Sequence, residues 1–188
     1  MPYGSQDMGK YQQVTMTSQQ LKDALSSAAR LPHADMHRGK IVISHDAFKT
    51  EGRETNIYIS PEAMIDVTGS VYFGPWCMIG ARSKIYTHDH IHAGRRPLLL
   101  VQEECGVMWQ DKYIGADVWI HDGAIVLYQV NRIPDGVILG AGSVLTKVPG
   151  PYEIWAGAPA EKVGIREETS HDEMMEMICR KKYSLKDS

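Results

Sequence analysis

Three histidines alternate in the stretch Thr87-His88-Asp89-His90-Ile91-His92, with a carboxylate between the first two. Imidazole is the side chain best suited to moving a proton near neutral pH, its ordinary pKa lying near ~6.5. A histidine held against a hydroxyl can act as general base, turning a poor oxygen nucleophile into a competent one. The same residue type also binds zinc, and His88, His90 and His121 are a conceivable ligand set. On an extended strand, residues two apart project to the same side. His88 and His90 therefore share a face, and Asp89 points to the other.

The elements that hold these side chains repeat. From Ile59 an apolar residue recurs every six positions, and a small residue follows four places after it. The units are ISPEAM and IDVTGS (59–70), FGPWCM, IGARSK and IYTHDH (73–90), IGADVW, IHDGAI and VLYQVN (114–131), then IPDGVI, LGAGSV and LTKVPG (133–150). Every unit opens on Ile, Val, Leu or Phe, and only Asp89 and Pro149 break the small fifth position. Six is neither the 3.6 of a helix nor the simple alternation of a long strand. It fits a short strand followed by a tight turn, three of which make one coil of a triangular prism. The first residue of each unit points inward, and the small fifth residue sits where the interior is narrow. Gly74, Gly80, Gly115, Gly123, Gly136 and Gly140 are expected at turn positions with positive φ. Stacked coils then share one apolar interior. A sandwich of short strands is the competing architecture, and three intact coils in one register weigh against it.

The expected fold is all-β, a parallel β-helix over residues 57–166, with an N-terminal segment (1–56) and a C-terminal segment (167–188). A helix is expected over about 17–31, where Thr17 and Gln20 form a capping-box pattern and Leu21, Ala24, Leu25 and Ala28 share a face. Ser170 and Glu173 repeat that pattern ahead of a second helix carrying Met174, Met177 and Ile178 on one side. Arg180, Lys181 and Lys182 follow it, where a helix C-terminus favours positive charge, and a polar tail ends the chain. Both helices are expected to cover the ends or sides of the prism. Between 91 and 113 the period fails, in IHAGRRPLLLVQEECGVMWQDKY. Long insertions on rigid scaffolds are typically binding loops. Leu98 to Val101, Met108 and Trp109 imply that this one packs against something.

The run FGPWCMIGARSKIYTHDH, the long loop, IGADVWIHDGAIV and then ILGAGSVLTKVPGPYEIWAGAPAEKV resembles the hexapeptide-repeat O-acetyltransferases, the galactoside, maltose and bacterial polysaccharide enzymes among them. The resemblance covers roughly residues 57–166 and extends to the order of the parts. It implies a left-handed prism, acetyl-CoA as cosubstrate, and a homotrimer with active sites between subunits. By the family's position the catalytic base is His90, five residues after Ile85, with His88 as the second candidate. A backbone N–H is expected to meet the oxyanion. Trp119 is implied at the reaction centre, Ala141, Thr146 and Lys147 along the pantetheine and its phosphates, and Lys162 or Arg166 at the nucleotide phosphates. Asp66, one coil below the histidines, and Arg95, Arg96 and Glu103 of the loop are the candidates for meeting a glycan or small hydroxylated acceptor.

Bulk properties agree with such a protein. The 188 residues carry 20 Lys and Arg against 23 Asp and Glu, a net charge of -3. No basic stripe is available for a nucleic acid. The longest apolar run, about Pro97 to Val101, is far short of a membrane span. The first twenty residues lack the charged start and apolar block of a signal peptide. Cys77, Cys105 and Cys179 form no C-x-x-C pair, which points to a reducing, cytoplasmic setting. No metal is expected. Two other readings stand beside the acetyltransferase: a γ-class carbonic-anhydrase-like metalloenzyme, and a non-catalytic trimeric scaffold.

Overall fold

The computed structural model describes residues 39–44, 56–92, 94–170 and 172–177. The helix expected over 17–31 lies outside them. The chain visits three parallel sheets in fixed rotation. The first sheet holds β1 (Ile41–Ile43), β4 (Val71–Phe73), β9 (Lys112–Ile114) and β12 (Arg132–Ile133). The second holds β2 (Tyr58–Ile59), β5 (Met78–Ile79), β10 (Trp119–Ile120), β13 (Ile138–Leu139) and β15 (Glu153–Gly157). The third holds β3 (Met64–Ile65), β6 (Lys84–Ile85), β11 (Ile125–Val126) and β14 (Val144–Leu145).

The pairing puts the first residue of each six-residue unit into a column. Ile43, Phe73, Ile114 and Ile133 stack in the first sheet, and Ile59, Ile79, Ile120, Leu139 and Trp155 in the second. Ile65, Ile85, Val126 and Leu145 stack in the third. These columns are the core, and Phe73, Ile79, Ile85, Ile120, Leu139 and Leu145 are fully buried. Each such side chain contributes about 1.5–3 kcal/mol of hydrophobic stabilisation. The small fifth positions are buried as well, among them Cys77, Ser83, Ala124, Val137 and Ser143.

The glycines act differently from the expectation. Of the six named, only Gly123 and Gly136 have positive φ. Gly74 is needed for room: a Cβ there would stand 2.6 Å from the carbonyl carbon of Gly115 in the next coil. Coils stack at strand spacing, so a side chain pointing along the stacking axis has no space. Left-handed turn positions fall instead to Trp76, Arg82, Asp117 and Tyr152, a conformation that non-glycine residues adopt at some cost.

The interruption is an ordered excursion. β7 (His88–His90) pairs antiparallel with β8 (Val107–Trp109), and helix α1 (Leu98–Cys105) lies between them. Only Val101 of α1 is buried, while Leu98, Leu99 and Leu100 stay exposed. Two helical turns against a flat wall can bury one narrow stripe and no more. At the far end β16 (Ala160–Ile165) folds back antiparallel on β15. The Ser170–Glu173 capping box closes reciprocally, with hydrogen bonds of 3.0 and 3.3 Å. Residues 172–177 are helical. Their methionines, Met174, Met175 and Met177, are exposed, so among the described residues this apolar face covers nothing.

Candidate active site

The site is built where the third sheet hands over to the hairpin. Thr87 follows the strand residue Ile85 by two positions and is fully buried. Its hydroxyl donates to the Asp66 carbonyl at 3.0 Å and accepts the Gly69 N–H at 2.9 Å, locking two adjacent coils together. The backbone N–H groups of Thr87 and His88 both donate to Asp66 Oδ2, at 2.8 and 3.0 Å. The hydroxyl and N–H of Thr68 donate to Asp66 Oδ1, at 2.7 and 2.9 Å. Burial alone would raise the Asp66 pKa, but these bonds and one from His88 overcome it and bring it down to about 2. Asp66 is an anion at any physiological pH.

The fifth donor is the imidazole. His88 Nδ1 lies 2.5 Å from Asp66 Oδ2 and 3.2 Å from the Thr68 hydroxyl oxygen. An ionised carboxylate only accepts, so the proton resides on Nδ1, and neutral His88 carries its lone pair on Nε2. Orientation, tautomer and counter-charge are thus fixed for this ring, whose side chain is 9% exposed. His90 is exposed and touches His88 edge-to-face at 5.7 Å, and among the described residues no carboxylate partners its ring. Of the two imidazoles named by the sequence, His88 is the one held by a carboxylate and His90 the exposed one. Asp66, expected at the acceptor, has both carboxylate oxygens engaged by Thr68, Thr87 and His88.

The other expected residues gather elsewhere. Trp119 is exposed on the second sheet, its indole stacked on His121 at 3.7 Å. Ala141 is exposed and Thr146 half-buried. Each of the three cations has an acidic neighbour. Lys147 lies 3.3 Å from Glu161, both side chains largely in solvent. Lys162 lies 2.7 Å from Glu153. Together with the Gly150 N–H and the Trp155 indole it brings the Glu153 pKa down to about 2. Arg166 reaches Asp117 at 2.7 Å and the Gly136 carbonyl at 3.0 Å, with Tyr152 beneath its guanidinium. In the excursion, Arg96 forms a two-pronged pair with Glu104, while Arg95 and Glu103 are exposed. Among the described residues, no hydrogen bond, ion pair or ring contact joins Trp119 or these cations to the His88 cluster.

Three contributors were missed. Thr68 and Thr87 complete the Asp66 network, and only Thr87 stood in a stretch singled out by the sequence. The third is Lys112, which is buried and donates to the carbonyls of Leu127 (2.9 Å), Tyr128 (3.1 Å) and Val130. Burial pushes its pKa down to about 7, against the opposing pull of Asp66. Strand parity was the available signal: Lys112 sits two before Ile114 and so points inward with it. Among the described residues no group of three His, Cys, Asp or Glu is placed to hold a metal ion. None of the described helices is long and apolar enough to cross a membrane.

Comparison with known proteins bears on this arrangement. No family model matches the chain. A hexapeptide-repeat acetyltransferase of Vibrio cholerae, solved with acetyl-CoA, superposes over 80% of this chain and 87% of its own, with a TM-score of 0.54 and 18% identity. The fold is that of the hexapeptide-repeat acetyltransferases. A galactoside acetyltransferase solved with coenzyme A covers 80% of each chain at a TM-score of 0.50 and 18% identity. Among curated proteins, a chloramphenicol acetyltransferase of Morganella morganii is 30% identical over 119 residues, 56% of this chain and 55% of that one. The chain thus spans about half the length of the curated relatives it matches.

Proposed function

We propose that this chain is an acetyl-CoA-dependent O-acetyltransferase in which His88, positioned by Asp66, is the general base. The observation that carries the reading is the Asp66–His88 pair, its side chains almost wholly buried, on a hexapeptide-repeat coil at the mouth of the 91–113 interruption. The three sheets close into a left-handed prism. Three chains form a ring, so that the His88 cluster of one subunit meets the Trp119 face of the next.

The donor supplies a thioester carbonyl and the acceptor a hydroxyl. As the acceptor oxygen forms its bond to that carbon, the hydroxyl proton passes to His88 Nε2. Breaking the carbon–sulfur bond releases the thiolate, and His88 returns the proton to the sulfur. Asp66 stays ionised throughout and stabilises the transient imidazolium. His90 lines the approach to His88.

For the donor's phosphates, Lys147 is the best fitted cation, because a pair as exposed as Lys147–Glu161 is weak and easily exchanged. Arg166 serves instead to staple the β15–β16 hairpin to the turns at Asp117 and Gly136. Cys77 and Cys105 are free thiols, which supports a reducing, cytoplasmic setting. The zinc reading finds no support, since His121 is stacked on Trp119 and the Nδ1 of His88 is already taken.

The test is release of free thiol from acetyl-CoA by the purified protein, screened against galactosides, maltose, chloramphenicol and simple alcohols. Acceptor-dependent thiol release with an equal yield of acetyl ester is expected. Lys147→Ala should weaken acetyl-CoA binding by roughly tenfold, an exposed charge-assisted contact being worth about 1.4 kcal/mol. A protein that binds no acetyl-CoA by calorimetry would sink the reading and leave the scaffold.

A further inference from the structure

β7 and β8 form the walls of the excursion, and their register sets the residues opposite one another. His88 lies across from Trp109, Asp89 from Met108, and His90 from Val107. Residues directly opposite on antiparallel strands project to the same face with Cβ atoms about 4.5–5.5 Å apart. One face of the hairpin therefore carries His88, His90, Trp109 and Val107, and the other Asp89 and Met108. The edge-to-face contact of the two imidazoles places both on the first face.

The Trp109 indole is 52% exposed. Among the described residues no hydrogen bond or ring contact holds it. Yet its backbone is fixed. The next residue, Gln110, donates its N–H to the Thr87 carbonyl at 2.9 Å and its side-chain amide to the Tyr128 carbonyl. Thr87 is in turn tied to Asp66, which holds His88. The indole is thus anchored to the same framework as the base, with its apolar surface left open beside it. Such a placement suits a ligand and not the core.

We propose that Trp109 is the acceptor platform: the alcohol that His88 deprotonates is borne by a ring whose flat face lies on the indole. Both the C–H face of a pyranose and the π face of an aryl group offer that surface, and an acyclic alcohol offers neither. The new ester links the ring-borne oxygen to the acetyl carbon, with the proton leaving through His88 to the thiolate. Trp109 touches the acceptor and takes no part in the proton transfer. This inference rests on the acetyltransferase reading, and it adds the class of acceptor.

The test uses the full chain with acetyl-CoA and three probes: a methyl pyranoside, 2-phenylethanol and glycerol. At least one ringed alcohol should stimulate thiol release far more than glycerol. Trp109→Ala should raise KM for that alcohol by roughly tenfold with kcat changed less than threefold, the scale of one aromatic contact. Trp109→Phe should recover most of the loss, which a general disturbance of the hairpin would not allow. The platform is overturned if glycerol stimulates as well as the rings, if no ringed alcohol stimulates a protein that cleaves acetyl-CoA, or if Trp109→Ala leaves KM unchanged. Failure to bind or cleave acetyl-CoA at all strikes the acetyltransferase reading instead. If transfer is preferred for 2-phenylethanol the ring is aryl, and if for the pyranoside it is a sugar.

Discussion

Asp66 and His88 stand 22 positions apart, and one carboxylate oxygen collects both the imidazole and two backbone N–H groups of the neighbouring coil. A carboxylate so committed cannot rotate, and neither can the ring that leans on it. His88→Ala should lower kcat by roughly 10²–10⁴-fold while leaving acetyl-CoA affinity within about twofold by calorimetry. Asp66→Asn is the sharper probe. Both carboxylate oxygens accept backbone N–H donors, so the amide NH2 must face one of them, and His88 loses its firm hold together with the counter-charge for its imidazolium. A kcat loss comparable to that of His88→Ala is expected, with the chain still folded by circular dichroism. His90→Ala should cost less than tenfold. Should His90→Ala abolish turnover and His88→Ala spare it, the base would be His90, where the family's position puts it.

At the level of the strands, the period in the sequence placed the three columns of the core from Ile59 to Leu145, while Ile43 and Trp155, outside the units, extend two of them. The inward residue of each unit and its small fifth residue recur whatever the turns contain. What periodicity could not give is how a side chain in one coil meets the coil above. Asp66 was legible as lying one coil below the histidines, but its partner depends on two extra residues at 71–72 and on Thr68 and Thr87, which carry no pattern. Lys112 is the clearest such case, a cation set in an inward position where a turn at 127–130 aims three carbonyls at it. Its pKa falls from 10.5 to about 7 on folding because burial disfavours the charge. Between those values the unfolded chain holds a proton that the folded one lacks, so stability rises with pH across that window and the gain is lost below about 7. Thermal melting of the wild type should therefore climb from pH 7 to pH 10 relative to Lys112→Met, which has no such proton. Parallel melting curves for the two proteins across this range would show that Lys112 stays charged in the fold.

Across the whole molecule, the outer face of the second sheet is unusual for a surface. Tyr58, Met78 and Trp119 lie in one register column and are all exposed, and Ile138 and Ile154 continue it half-buried. An apolar ladder of five rungs is the kind of patch that marks an interface. It also carries Trp119, which the proposed two-subunit site would set against the His88 cluster of a neighbour. Light scattering is expected to give about three times 21.0 kDa. Met78→Asp, in the middle of the ladder, should shift the species towards monomer and lower kcat with it. A wild-type mass near that of one chain in dilute, near-physiological buffer would remove the shared site.

The bond from the Gln110 N–H to the Thr87 carbonyl closes the neck of the excursion. Residues 88–109 therefore leave the stacked sheets and rejoin them at almost the same point. Within a six-residue unit, adding or deleting a residue turns core side chains outward unless a turn absorbs the change, as happens at 71–72 and at Arg132. Between these two anchors, length is uncoupled from phase. A lineage exploring new ligands can lengthen, shorten or exchange this one segment while the scaffold and the Asp66–His88 pair remain as they are. The same neck makes the tip of the excursion the natural place to cut the chain and rejoin its ends, or to graft the hairpin of a relative.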